Sequence, residues 1–190
     1  MARATVTTAA VAIVALLAAV AAASLPAAVA DASFVAKTCQ SSDNPQCVAV
    51  LSTDPRSVNA TTVHELASIG LDIATANAFK SFDFISDEAD KRSASDYRDP
   101  LHDCVMWYNS GIDDLSKARK SFDAGSYNGA EDHTSLAEDV GDHCEQAFTD
   151  RHLKSIVSDV DKRMKEWSSV ASDLIDLLWT VKKSRRLLRA

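Results

Sequence analysis

Apolar residues recur three and four positions apart along four long stretches of the chain, the spacing of one face of an α-helix. The first predicted helix covers residues 62–89. In it Val63, Leu66, Gly70, Ile73 and Asn77 share a face, with Ile69 beside them. Thr62 and Glu65 have the spacing of a capping box at its start. The second follows "SASDYRDP" and aligns Tyr97, Leu101, Cys104, Tyr108, Leu115 and Phe122. Pro100 suits its first turn, and "AGS" at Ala124–Ser126 ends it. The third aligns Tyr127, Ala130, Thr134, Ala137, Gly141, Cys144 and Phe148, small residues that let a neighbour come close. The fourth aligns Ile156, Val160, Trp167, Val170, Leu174, Leu177 and Val181. No stretch alternates with the period of a strand, so the fold class is all-α.

Four amphipathic helices with short links predict an up-down-up-down four-helix bundle over residues 60–186. Ahead of it, residues 31–55 read as two short helices around the turn "SSDNPQ", an N-terminal helical hairpin. Neither arm is long enough to be stable alone in water. Residues 1–30 have Arg3 as their one charge, then an Ala/Val/Leu run, a break at Pro26 and the small residues "AVA". That is the pattern of a secretory signal peptide cleaved after Ala30.

Secretion changes how the four cysteines are read. In an oxidising compartment they are expected to form two disulfides, for which three connectivities exist. Cys39 and Cys47 flank the hairpin turn, whereas Cys104 and Cys144 lie on apolar seams of consecutive antiparallel helices. The pairing Cys39–Cys47 with Cys104–Cys144 is the simplest. Asn59-Ala60-Thr61 is an N-glycosylation acceptor just ahead of the first bundle helix.

Charge and site chemistry narrow the function further. Removing residues 1–30 takes the net charge from −7 to −8. An acidic domain whose basic residues gather only at "KKSRRLLRA" is not built for nucleic acid or an anionic membrane. The ferritin-like di-metal pattern needs several inward Glu-x-x-His units, and Asp99-Pro-Leu-His102 is the sole acidic match. No metal or other cofactor is therefore expected. There is no Gly-x-Ser-x-Gly, and every cysteine has a disulfide partner, so no nucleophile is evident. The charge runs "DEADKR" and "SDVDKRMKE" read as solvated helix faces. What remains is a disulfide-stabilised bundle that works by contact rather than as an enzyme. A structural bundle or a ligand-binding one would carry the same pattern.

The mature chain resembles the plant invertase and pectin methylesterase inhibitor family over nearly its whole length. The resemblance rests on "TCQSSDNPQCVAVLSTDPRSVNATTVHELASIGLDIATANA", on "LHDCVMWYNSGIDDLSKARKSF" and on "GSYNGAEDHTSLAEDVGDHCEQAF". It implies a hairpin with its own disulfide beside a bundle with one internal disulfide. It also implies non-covalent docking on a secreted carbohydrate-active enzyme, obstructing the active-site cleft, in the apoplast or the vacuole. Invertase inhibitors insert a Pro-Lys-Phe between the second and third bundle helices, where this chain has Tyr127, Asn128 and Gly129. Pectin methylesterase inhibitors carry a Ser-Ala-Ala-Leu-Thr-Asn run before the last cysteine, and here Asp139 replaces the Thr. Pectin methylesterase is the expected target and acid invertase the alternative. The expected partner-binding residues are Asp113, Asp114, Lys117, Tyr127, Asn128, Glu131, His133 and Asp139.

Overall fold

A computed structural model of the protein describes residues 25–187, with side-chain surroundings from Phe34 to Ser184. Most of the expected signal segment lies outside the described residues. Its last part, 25–30, opens the first helix.

The hairpin consists of α1 (Leu25–Ser42), α2 (Cys47–Leu51) and a 3-10 turn (Pro55–Asn59). The bundle consists of α3 (Val63–Lys91), α4 (Arg98–Asp123), α5 (Tyr127–Glu138), α6 (Val140–Thr149) and α7 (Ser158–Leu187). Each bundle helix packs on its two neighbours: α3 on α4 and α7, and the α5–α6 pair on α4 and α7. The ring closes around Leu66, Leu71, Ile85, Leu101, Tyr108, Leu115, Phe148, Met164, Leu174 and Ile175, all fully buried.

Local chemistry sets the helix ends. The Thr62 hydroxyl accepts from Glu65 N–H, and the Glu65 carboxylate accepts from Thr62 N–H, so both halves of the capping box form. At the end of α4, Gly125 takes φ +68°. Its N–H reaches Phe122 O, and that of Ser126 reaches Ser121 O at 2.8 Å, which is a Schellman closure. Leu153 N–H bonds Phe148 O in the same way after α6, with His152 at φ 56°.

The disulfides are Cys39–Cys47 and Cys104–Cys144, with Cα atoms 5.4 and 4.7 Å apart. One lies within the hairpin and the other within the bundle, and polar groups tie the two regions together. Asn44 Nδ2 donates to Asp173 Oδ2 (2.6 Å) and to Ser169 Oγ (3.2 Å) on α7. Asp54 caps the 3-10 turn by accepting from Arg56 N–H, and the Arg56 guanidinium bridges Asp54 and Asp72 of α3. Arg119 of α4 pairs with the same Asp72. The Asp-Pro-Arg-Ser stretch is thus the joint between hairpin and bundle.

The packing departs from the periodic reading in four places, one of them Val181, which the fourth stripe placed inward and which is 51% exposed. The third bundle helix is interrupted at Asp139, giving α5 and α6 rather than one continuous helix. Just beyond the break, Gly141 approaches α7 so closely that a Cβ there would sit 2.5 Å from Asp161 O. Ile156 lies ahead of α7 and is 39% exposed, while Val157 is buried in its place. The run "SDVDKRMKE" is not wholly solvated, because Asp161 is only 2% exposed.

Candidate partner-binding surface

Four of the expected contact residues meet on one seam. On α4, Asp113, Asp114 and Lys117 stand three and four apart, and Lys117 Nζ lies 2.7 Å from Asp113 Oδ2 and 3.3 Å from Asp114 Oδ1. The Lys117 hydrogen bond holds Asp113 below the usual carboxylate range, and Asp113 in turn raises Lys117. Across the seam, His133 Nδ1 on α5 is 3.4 Å from Asp114 Oδ1. Both ionised groups of the Asp113–Lys117 pair face solvent, so the cluster offers charge to a partner at little desolvation cost.

The other four lie elsewhere. Tyr127 opens α5 with its ring turned inward, 5.7 Å from Phe122 and 6.2 Å from His64, and Lys182 Nζ sits 5.3 Å from its centroid. Lys182 also donates to Gly125 O at 2.6 Å, clamping the α4–α5 turn onto α7. Asn128 is exposed beside it and donates to Asp132 Oδ2 at 2.9 Å. Glu131 accepts from Ser135 Oγ, which meets Ser172 Oγ at 3.1 Å, so Glu131 belongs to the α5–α7 side. Asp139 is exposed at the break between α5 and α6.

The sequence reading missed an aromatic pair on the same α4 seam. Trp107 stacks on His143 of α6, with ring centroids 4.3 Å apart and 18° between planes. Met106, next to Trp107 on α4, and Leu136 on α5 are exposed as well. The signal was present: Met106 and Trp107 are large apolar residues off the buried stripe that Cys104 and Tyr108 define.

The described residues contain no free cysteine and no group of three or more metal-ligating side chains placed to hold an ion. Tyr108 Oη donates to Asp161 Oδ1 at 2.8 Å, and burial, with Glu145 beside it, pushes the Asp161 carboxyl up to about 8. A raised carboxyl often marks an active site. This one is closed off between α4, α6 and α7, so a substrate has no route to it. No described helix is long and apolar enough to cross a membrane.

The described residues thus form a helical bundle whose core is closed and whose charged side chains, Asp161 apart, stand on its outer faces. Residues 33–177 match the family described as plant invertase/pectin methylesterase inhibitor, and the chain belongs to that family. Membership makes it a proteinaceous inhibitor rather than an enzyme. Two solved structures share the fold. One is a mutant form of a pectin methylesterase inhibitor from Arabidopsis, 21% identical with a TM-score of 0.64, covering 74% of this chain and 95% of its own. The other is a pectin methylesterase inhibitor from Arabidopsis thaliana, 22% identical with a TM-score of 0.57, covering 77% and 96%. No curated protein matches the sequence significantly.

Proposed function

We propose that the protein is a secreted, non-covalent inhibitor of pectin methylesterase that docks on the enzyme and obstructs its active-site cleft. The α4–α5 turn carries the choice of target. Resemblance places the inserted Pro-Lys-Phe of invertase inhibitors at residues 127–129. Here Tyr127 already belongs to α5, its ring packs on Phe122 and Lys182 covers it. The Schellman closure at Gly125 and Ser126 leaves no free loop ahead of it. A residue folded into a helix cap has little to insert into a cleft. That favours a target met by helix faces, and so pectin methylesterase over acid invertase.

Secretion belongs to the same reading. Two disulfides persist in oxidising compartments. Asn59 is exposed at the end of the 3-10 turn, where a glycan would not meet the bundle core. The apoplast is the favoured location and the vacuole the other secretory destination.

The deciding experiment assays the purified protein against a plant pectin methylesterase and an acid invertase. Inhibition of the first alone is expected. Inhibition of invertase alone would reverse the choice of target, and inhibition of neither would leave a non-inhibitory bundle.

A further inference from the structure

Along the seam between α4 and the α5–α6 pair, three contacts cross like rungs. They are Asp114 with His133 (3.4 Å), Trp107 with His143 (4.3 Å between centroids) and Asp103 with Arg151 (2.8 Å). Asp103, Trp107 and Asp114 are four and seven apart on α4, hence on one face. Across the seam His133 and Leu136 are three apart on α5, and His143 follows on α6 beyond the break at Asp139. Trp107 and Leu136 therefore lie between the two charged ends. Trp107 is 41% exposed, Leu136 53% and the adjoining Met106 55%.

An exposed tryptophan is usually mobile. This one is held against an imidazole, so less side-chain entropy is lost when a partner covers it. Tryptophan and methionine are enriched at protein interfaces, and tryptophan among the residues that dominate binding energy. The surrounding charges are Asp103, Asp113, Asp114, Asp132 and Asp139 against Lys117, Lys120 and Arg151, with Arg151 paired to Asp103 and Lys117 to Asp113. The strip is thus apolar at its centre and predominantly acidic at its rim.

We propose that the Trp107–His143 stack, with Leu136 and Met106, is the apolar anchor of the inhibitory surface, seated in an apolar socket with a basic rim on the target enzyme. The proposal rests on the inhibitor reading above and adds which residues hold the enzyme. Its charged neighbours steer the encounter, whereas the anchor governs how long the complex lasts.

The test measures inhibition of pectin methylesterase by wild type, Trp107→Ala and Leu136→Ala, with thermal unfolding of each. Both side chains are about half exposed, so both variants should melt close to wild type. Each should inhibit about tenfold more weakly or worse, with the loss in the dissociation rate. If wild type inhibits and both variants match it, the anchor is wrong and the inhibitor reading stands. Weaker inhibition that only follows lower melting temperatures also overturns the anchor. If wild type inhibits nothing, the inhibitor reading fails and the anchor with it.

Discussion

The hairpin and the bundle solve the same problem by different means. The bundle has enough facing apolar surface to fill itself, and Leu66, Leu71, Leu101, Leu115, Leu174 and Ile175 are fully buried there. The hairpin contributes few such residues, chiefly Val35, Val50 and Leu51. It leaves an open cleft of about 550 Å³ against the bundle, lined by Phe34, Thr38, Val63, Leu177 and Val181 among others. A disulfide joins its two arms, and the Asn44 hydrogen bonds to α7 and the Arg56 bridge to Asp72 hold it to the bundle. A small element that cannot bury enough surface depends on specific ties, each of which can be cut singly. The bundle resists single cuts except where a polar group or a backbone contact lies inside it.

The strongest way to separate the two regions is pH. Asp161 keeps its proton up to about 8 in the folded bundle, whereas its ordinary value is 3.8. Between those values the folded state binds the extra proton, so stability is greatest below 4 and falls as pH rises through 8. One unit corresponds to about 1.4 kcal/mol, so a shift of about four units corresponds to about 6 kcal/mol over the whole window. The groups facing Asp161 are Tyr108 from α4 and Glu145 and Asp142 from α6. Arg163 acts on Tyr108 from α7. Half-buried Asp54 and exposed Glu65 and Asp113, whose partners lower them, work in the opposite sense only in more acid solution. Urea unfolding at pH 4.5 and 8 should show the loss, and Asp161→Asn should flatten it. An equally steep fall in the variant would assign the proton elsewhere.

The disulfides come next. Removing Cys104–Cys144, which closes a separation of 40 residues, should cost about 4 kcal/mol on chain entropy. Removing Cys39–Cys47, with a separation of 8, should cost about 2.5 kcal/mol. The first should lower unfolding of the whole bundle. The second should expose the hairpin amides to hydrogen exchange while the α3–α7 amides stay protected. Equal loss of protection in both regions would mean that hairpin and bundle unfold as one unit.

Gly141→Ala probes the bundle alone. The added Cβ meets Asp161 backbone at 2.5–3.2 Å, so α6 and α7 must separate, at about 2 kcal/mol. Gly111→Ala should cost less, since its nearest obstacle is the Val140 side chain at 2.7 Å rather than backbone. Similar melting temperatures for the two would show that the α6–α7 approach yields readily. The smallest effect should come from Asn44→Ala, about 1 kcal/mol, confined to the hairpin. It removes the donor to Asp173 and Ser169 and leaves the bundle core untouched.

Four long amphipathic stretches, their ends and the two cysteine pairings were legible in the sequence. A helix repeats its buried face every few residues, and caps such as Thr62–Glu65 and Gly125–Ser126 are local in the chain. Periodicity also placed Tyr108, Leu115, Ala137 and Cys144 in the core. It did not reveal the break at Asp139, the exposure of Ile156 or the burial of Asp161, because each depends on how closely one helix approaches another. The contact surface divides in the same way. Asp113, Asp114 and Lys117 could be grouped from their spacing on one helix, but His133 joins them, and Trp107 meets His143, only across a seam. Tyr127 stands on the third apolar stripe in the sequence, and its inward ring agrees; that Phe122, His64 and Lys182 meet it from three helices is visible only in the fold. Short-range spacing determined the elements; distances between residues remote in the chain decided which of their faces remain free to bind.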